Sequence, residues 1–194
     1  QEEYLQIFLT FNASLWQRLE RKELTRAKLM ECRFPQYLQL LGISSVSGKH
    51  FNSVFLKNLS TKPIYIDGAE EFLKKLNVMG EVYIVTNGTA WIQKSRFDIA
   101  NLWQYAKEVF VSDLIGADKP AKEYTDYVLS HIPNFDKSHA VWIGDSLSAD
   151  IQAACDAGID SIWFNRYGKE NRSTVKPTCE TKTFEEILNI LVEK

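Results

Sequence analysis

The sequence predicts an α/β fold, a doubly wound parallel sheet preceded by an all-helical segment. Three observations predict it. Apolar residues recur at helical spacing from Tyr4 to Leu59. After Pro63, short continuous apolar runs alternate with helical stretches, as in a parallel sheet covered on both faces. Polar clusters then follow the apolar runs, at the strand ends where open α/β sheets bind ligands.

The elements follow in order. Tyr4, Phe8, Phe11, Leu15 and Leu19 form one helical stripe; residues 4–11 are apolar enough for a strand, but their period is helical. Thr25 can cap a second helix carrying Leu29, Phe34, Leu38 and Leu41 and stopping at Gly42. Pro35 inside it predicts a kink or break near Arg33 and Phe34, because proline lacks the donor and clashes with the preceding turn. A third helix over 49–59 turns Phe51, Val54, Phe55 and Leu59 inward. The chain divides near Pro63, into a helical segment 1–62 and an α/β segment 63–194. In the latter, helices over 68–76, 89–100, 121–131 and 149–157 precede strands over 82–86, 109–112, 141–144 and 161–164, and a last helix covers 184–192. Asp67 reads as a helix cap and Pro120 as a first helical residue.

Composition bounds the function. With 194 residues, 45% hydrophobic, and a net charge of −2, the chain suits one domain with an insertion and shows no basic footprint for nucleic acid. No apolar run reaches the roughly 20 residues of a membrane span. The acidic N-terminus is unlike a signal peptide, so a cytoplasmic protein is expected. Cys32, Cys155 and Cys179 form no metal-ligand pattern and suit a reducing compartment; Cys155, among alanines, reads as core. The histidines read as surface or structural. Oligomeric state is not legible.

Three clusters could carry chemistry. Thr86-Asn87-Gly88 offers a hydroxyl, an amide and an unhindered backbone ahead of a helix N-terminus, which favours anions; by itself it reads more simply as a cap and turn. Lys119, before Pro120, could balance charge developing in phosphoryl transfer, or be an ordinary surface lysine. Gly144-Asp145-Ser146-Leu147-Ser148-Ala149-Asp150 follows the third strand with two carboxylates, suited to a hard cation such as Mg²⁺, or to a turn and a helix start. Together they place the groups that phosphoryl transfer needs on one sheet rim.

These runs resemble motifs of the haloacid dehalogenase superfamily of aspartate-nucleophile phosphohydrolases. Val82 to Gly88 resembles its second motif, Gly116 to Pro120 its third, and Gly144 to Asp150 its fourth. Asn12 to Trp16, Arg33-Phe34, Gln93 and Trp163-Phe164-Asn165 resemble the subgroup containing pyrimidine 5′-nucleotidases. The resemblance implies a Rossmann-like core and a helical cap formed largely by the first segment. It implies that Thr86, with Asn87 and the Gly88 backbone, binds the transferring phosphate. It further implies that Lys119 neutralises charge, and that Asp145, supported by Asp150, holds Mg²⁺. The implied partner is a small phosphorylated metabolite, a nucleoside monophosphate foremost, with phosphomutase chemistry the near relative. The metal pair argues against a dehalogenase, and the helical first segment against a receiver-like domain.

The family's first motif, Asp-x-Asp-x-Thr or -Val, supplies the nucleophile. None of the ten aspartates is one residue from another. By analogy the strand carrying that motif lies between those ending at Thr86 and Gly144, so its loss leaves a gap of roughly 10 Å, two strand spacings. Buried unpaired backbone groups cost about 1–3 kcal/mol each, so simple absence is unfavourable. The favoured expectation is that the strand and its nucleophilic Asp lie upstream of this chain, which alone is then inactive. The alternatives are a substitute segment filling the gap, or a truncated, non-catalytic phosphate-binding or interaction protein. Lys119→Ala is expected to lose activity and keep its fold.

Overall fold

A computed structural model describes residues 2–193. The chain forms two compact units, 1–62 and 63–194. Among the described residues no helix is long and apolar enough to cross a membrane.

The first unit contains α1 (Glu2–Glu20), α2 (Arg26–Leu40) and α3 (Gly48–Thr61). The Thr25 hydroxyl accepts from Lys28 N–H and caps α2. Gly42, at φ +68°, ends it, its N–H donating to the Gln39 carbonyl. The expected break at Pro35 does not occur, for α2 runs through it. A Cβ on Gly48 would lie 2.6 Å from Pro35 N, so the start of α3 sits against the proline turn. Tertiary packing of this kind outweighs a local helix-breaking preference. Leu15, Leu19 and Leu29 form one core cluster. Phe34, buried, meets Phe8, Phe51 and Phe55 at ring separations of 5.4, 4.8 and 5.0 Å.

The second unit runs α4 (Ala69–Met79), β1 (Tyr83–Thr86), α5 (Ala90–Ile99), β2 (Glu108–Val111), α6 (Ser112–Ile115), α7 (Lys122–His131), β3 (Val141–Gly144), α8 (Gln152–Ala157), β4 (Asp160–Phe164), β5 (Cys179–Thr181) and α9 (Phe184–Val192). The short α6 and polar β5 lack the apolar pattern that reveals the other elements. Gly68, at φ +79° and with no side-chain cap, precedes α4, so Asp67 is not its N-cap. A π-type turn, Leu147–Ile151, leads into α8. Cys155 is exposed rather than core, because α8 buries Ala153 and Ala154 and turns Cys155 outward.

All strand pairs are parallel, in two sheets, β1-β2 and β3-β4-β5. Exposure follows that division. Each residue of β1 is half-buried, whereas Ser161, Ile162 and Trp163 of β4, flanked on both sides, are buried. The Val82 carbonyl accepts from Lys107 N–H at 2.8 Å and so faces β2. Backbone groups alternate sides along a strand, so the Val85 carbonyl faces the opposite, open edge of β1. The two sheets share one core, in which Tyr83 and Val85 pack with Phe110, Tyr124, Trp142 and Ala154.

Candidate active site

Hydrogen bonds link Asn87, Lys119 and Asp150 at the carboxyl ends of β1 and β3. Lys119 is buried, and its ammonium donates to the Val85 carbonyl at 2.9 Å and to Asp150 Oδ1 at 2.7 Å. One cation thus bridges the open edge of β1 and the turn after β3. The second Asp150 oxygen accepts from Ser146 N–H at 3.0 Å. A Cβ on Gly144 would collide with the Asp150 side chain, so the glycine makes room for that carboxylate to fold back over the strand end. Asp145 differs from Asp150. Its side chain is exposed and has no hydrogen-bond or ion-pair partner among the described residues. Its carbonyl accepts from Trp163 Nε1 at 3.1 Å, which ties the turn to β4.

The β1 end is braced as closely. Asn87 forms a two-way amide pair with the Lys119 backbone, accepting from its N–H at 2.8 Å and donating to its carbonyl at 2.9 Å. That pair holds the lysine's main chain while the ion pair holds its tip. Pro120 follows through a cis peptide and is not a first helical residue, since Ala121 is the N-cap of α7. The Tyr124 hydroxyl, on fully buried α7 core, accepts from Thr86 N–H at 3.1 Å and donates to the Phe110 carbonyl at 2.8 Å. Burial pushes its phenol well above the ordinary tyrosine value, against the opposing effect of the Thr86 hydrogen bond. Asp113 Oδ2 accepts from Ala90 N–H at 3.0 Å and so caps α5 from another element.

Thr86 Oγ1 accepts from Gln93 Nε2 at 2.7 Å. The space beside the Gly88 α-carbon, read from sequence as room for a ligand, is filled by Gln93, whose Cγ would lie 2.5 Å from a Cβ there. Of the sequence-derived residues, Asn87, Lys119 and Asp150 are thus joined through hydrogen bonds, Thr86 precedes Asn87 and bonds instead to Gln93 and Tyr124, and Asp145 lies on the turn that carries Asp150. Tyr124 went unread because a tyrosine at an ordinary core position carries no signal of its hydroxyl's partners.

In the helical unit, Arg33 is 4% exposed, with its guanidinium carbon 5.0 Å from the Phe34 ring centre and 4.9 Å from that of Phe55. It donates to Asn52 Oδ1 at 3.1 Å, and burial lowers its pKa. The half-buried Trp16 packs on the leucine cluster with Arg26 over its ring.

Comparison with known proteins then places the chain. The model of the haloacid dehalogenase-like hydrolase family matches residues 5–164. The chain belongs to that family. It is 35% identical over 184 residues to the putative HAD-hydrolase YfnB of Bacillus subtilis, covering 95% of this chain and 78% of that protein. It is 30% identical to the pyrimidine 5′-nucleotidase PynA of Streptococcus pneumoniae, covering 97% and 79%. A crystal structure of the B. subtilis protein, bound to magnesium and showing interdomain movement, superposes with a TM-score of 0.91 at 34% identity over 98% of this chain and 83% of that one. The L-2-haloacid dehalogenase RSc1362 shares the fold at a TM-score of 0.79 and 14% identity, covering 98% and 86%. The α/β family fold and a hydrolase identity follow from these matches.

Proposed function

We propose that this hydrolase cleaves small phosphomonoesters with Mg²⁺, nucleoside monophosphates foremost, through an aspartyl-phosphate. The observation that carries the proposal is Lys119, a buried ammonium held between the Val85 carbonyl at the open edge of β1 and Asp150, whose turn also carries the exposed, unpartnered Asp145 carboxylate. Hydrolysis of pyrimidine nucleotides by the streptococcal relative, as its name states, supports the substrate class.

The donor set accommodates the metal in part. Mg²⁺ commonly takes one or two carboxylates, with waters and substrate oxygens completing the octahedron. Asp145 has an uncommitted carboxylate, whereas both oxygens of Asp150 serve protein groups, so Asp145 would be the ligand and Asp150 the support of its turn. When bound, the ion would neutralise charge on the phosphoryl oxygens. Among the described residues no group of three or more acidic, His or Cys side chains is placed to hold a metal.

The chain's own groups do the rest. The Thr86 hydroxyl donates to a phosphoryl oxygen, and Lys119 balances the charge that develops. The nucleophile is a carboxylate on a strand seated between β1 and β3. Its oxygen bonds to phosphorus, the ester oxygen departs with a proton, and water then cleaves the acyl phosphate. This sequence holds no Asp-x-Asp pair, so on this reading the present chain alone does not turn over. Residues 1–62 act as the cap that selects substrate.

The test measures phosphate release by the full-length protein from a panel of nucleoside monophosphates and sugar phosphates, with Mg²⁺ or with EDTA. Turnover that EDTA abolishes is expected. Absence of Mg²⁺-dependent release from every ester would overturn the reading.

A further inference from the structure

We infer that Gln93 is a positioning residue that makes the Thr86 hydroxyl a committed donor toward bound phosphate. The inference rests on the phosphate-binding role proposed above for Thr86. Gln93 lies in the first turn of α5, where its N–H donates to the Thr89 carbonyl at 2.9 Å. Its side chain folds back over Gly88, and Nε2 donates to Thr86 Oγ1 at 2.7 Å. A threonine hydroxyl has one proton and two acceptor lone pairs. With one lone pair occupied by the amide, the proton points elsewhere, and Thr86 itself has few rotamers because it is β-branched.

The local sequence is built for this reach. A Cβ at Gly88 would lie 2.5 Å from Gln93 Cγ, 2.7 Å from Cδ and 2.7 Å from Nε2. The φ of Gly88 is not in the left-handed region, so space for Gln93, and not backbone conformation, requires the glycine. Glycine and glutamine, five residues apart, thus form one device with Thr86. The direction of the hydrogen bond is what matters chemically. An acceptor in place of the amide nitrogen would draw the hydroxyl proton to itself and away from the phosphate.

The test uses the full-length protein and two readouts, Mg²⁺-dependent phosphate release and calorimetric binding of inorganic phosphate. The variants are Gln93→Leu, Gln93→Glu, Thr86→Val and the double variant Thr86→Val with Gln93→Leu. Gln93→Leu should lower kcat and weaken phosphate binding by about tenfold, the scale of one oriented hydrogen bond. Gln93→Glu should fall further at pH 7. It should recover past Gln93→Leu and toward wild type as pH drops through the carboxyl range near about 4.3, where the acid regains a proton to donate. In the Thr86→Val background, Gln93→Leu should cost nothing more. An equal loss in both backgrounds, or a Gln93→Glu pH profile parallel to wild type, overturns the inference. Wild-type protein that binds phosphate without hydrolysing esters overturns the phosphatase reading alone, and the binding cycle still decides the role of Gln93. Wild-type protein that neither binds phosphate nor hydrolyses esters overturns both.

Discussion

At the scale of single residues, the site is held by side chains that reach back to strand ends. Lys119 and Asp150 are 6% and 11% exposed at their side chains and 2.7 Å apart. Removing one member of a buried pair leaves an uncompensated charge, at a cost of about 3–5 kcal/mol, whereas replacing both by apolar groups is often neutral. Lys119→Ala should therefore be destabilised as well as inactive. Urea unfolding should show Lys119→Met losing about 3–5 kcal/mol and Lys119→Met with Asp150→Leu losing much less; additive losses would show that the two do not act as a pair. Tyr124→Phe should cost about 1–3 kcal/mol by removing a partner from Thr86 N–H and the Phe110 carbonyl. The phenol's raised pKa adds stability that is complete below about pH 10, the unfolded value. That stability is lost as pH rises toward the higher folded value, because the unfolded state releases its proton first. The gap between wild type and Tyr124→Phe should therefore narrow in urea titrations above about pH 10.

At the scale of elements, the strand edges explain the half-burial of β1. Ile84 faces β2, by the alternation fixed at Val82, whereas Tyr83 and Val85 face the open edge that Lys119 meets. Amide exchange should accordingly be slower at Ile84 than at Val85, and slower in β4 than in β1, when followed by NMR. Equal protection at Ile84 and Val85 would mean that the edge is already paired. Every helix with a strong apolar period was legible, as were four of the strands, because continuous apolar runs bounded by turns leave little choice of element. β5 was not legible, since Cys179, Glu180 and Thr181 become a strand only through pairing with Ile162, Trp163 and Phe164. Pro35 does not break α2 for the converse reason, since the cost of a missing hydrogen bond is local and the packing of α3 against it is not.

At the scale of the whole molecule, the chain is two units with separate cores joined near Pro63. Ile64 is 87% exposed. Limited proteolysis with thermolysin, which cuts before large apolar residues, should cleave first at Ile64 and release fragments of 1–63 and 64–194. A first cut inside α2 or β4 would contradict the division.

The sequence by itself determined the family, the alternation of strands and helices, and the residue types at the strand ends, because periodicity and motif spacing are properties of neighbours along the chain. It also determined that no Asp-x-Asp pair is present. Only the tertiary structure decided how those residues are used. It joined Asp150 to Lys119 rather than leaving it beside Asp145, turned the Asn87 amide onto the Lys119 backbone, and filled the space at Gly88 with Gln93. Each of these depends on which hydrogen-bonding groups lie within about 3 Å of one another once the strands are packed, and separation along the chain does not fix that distance.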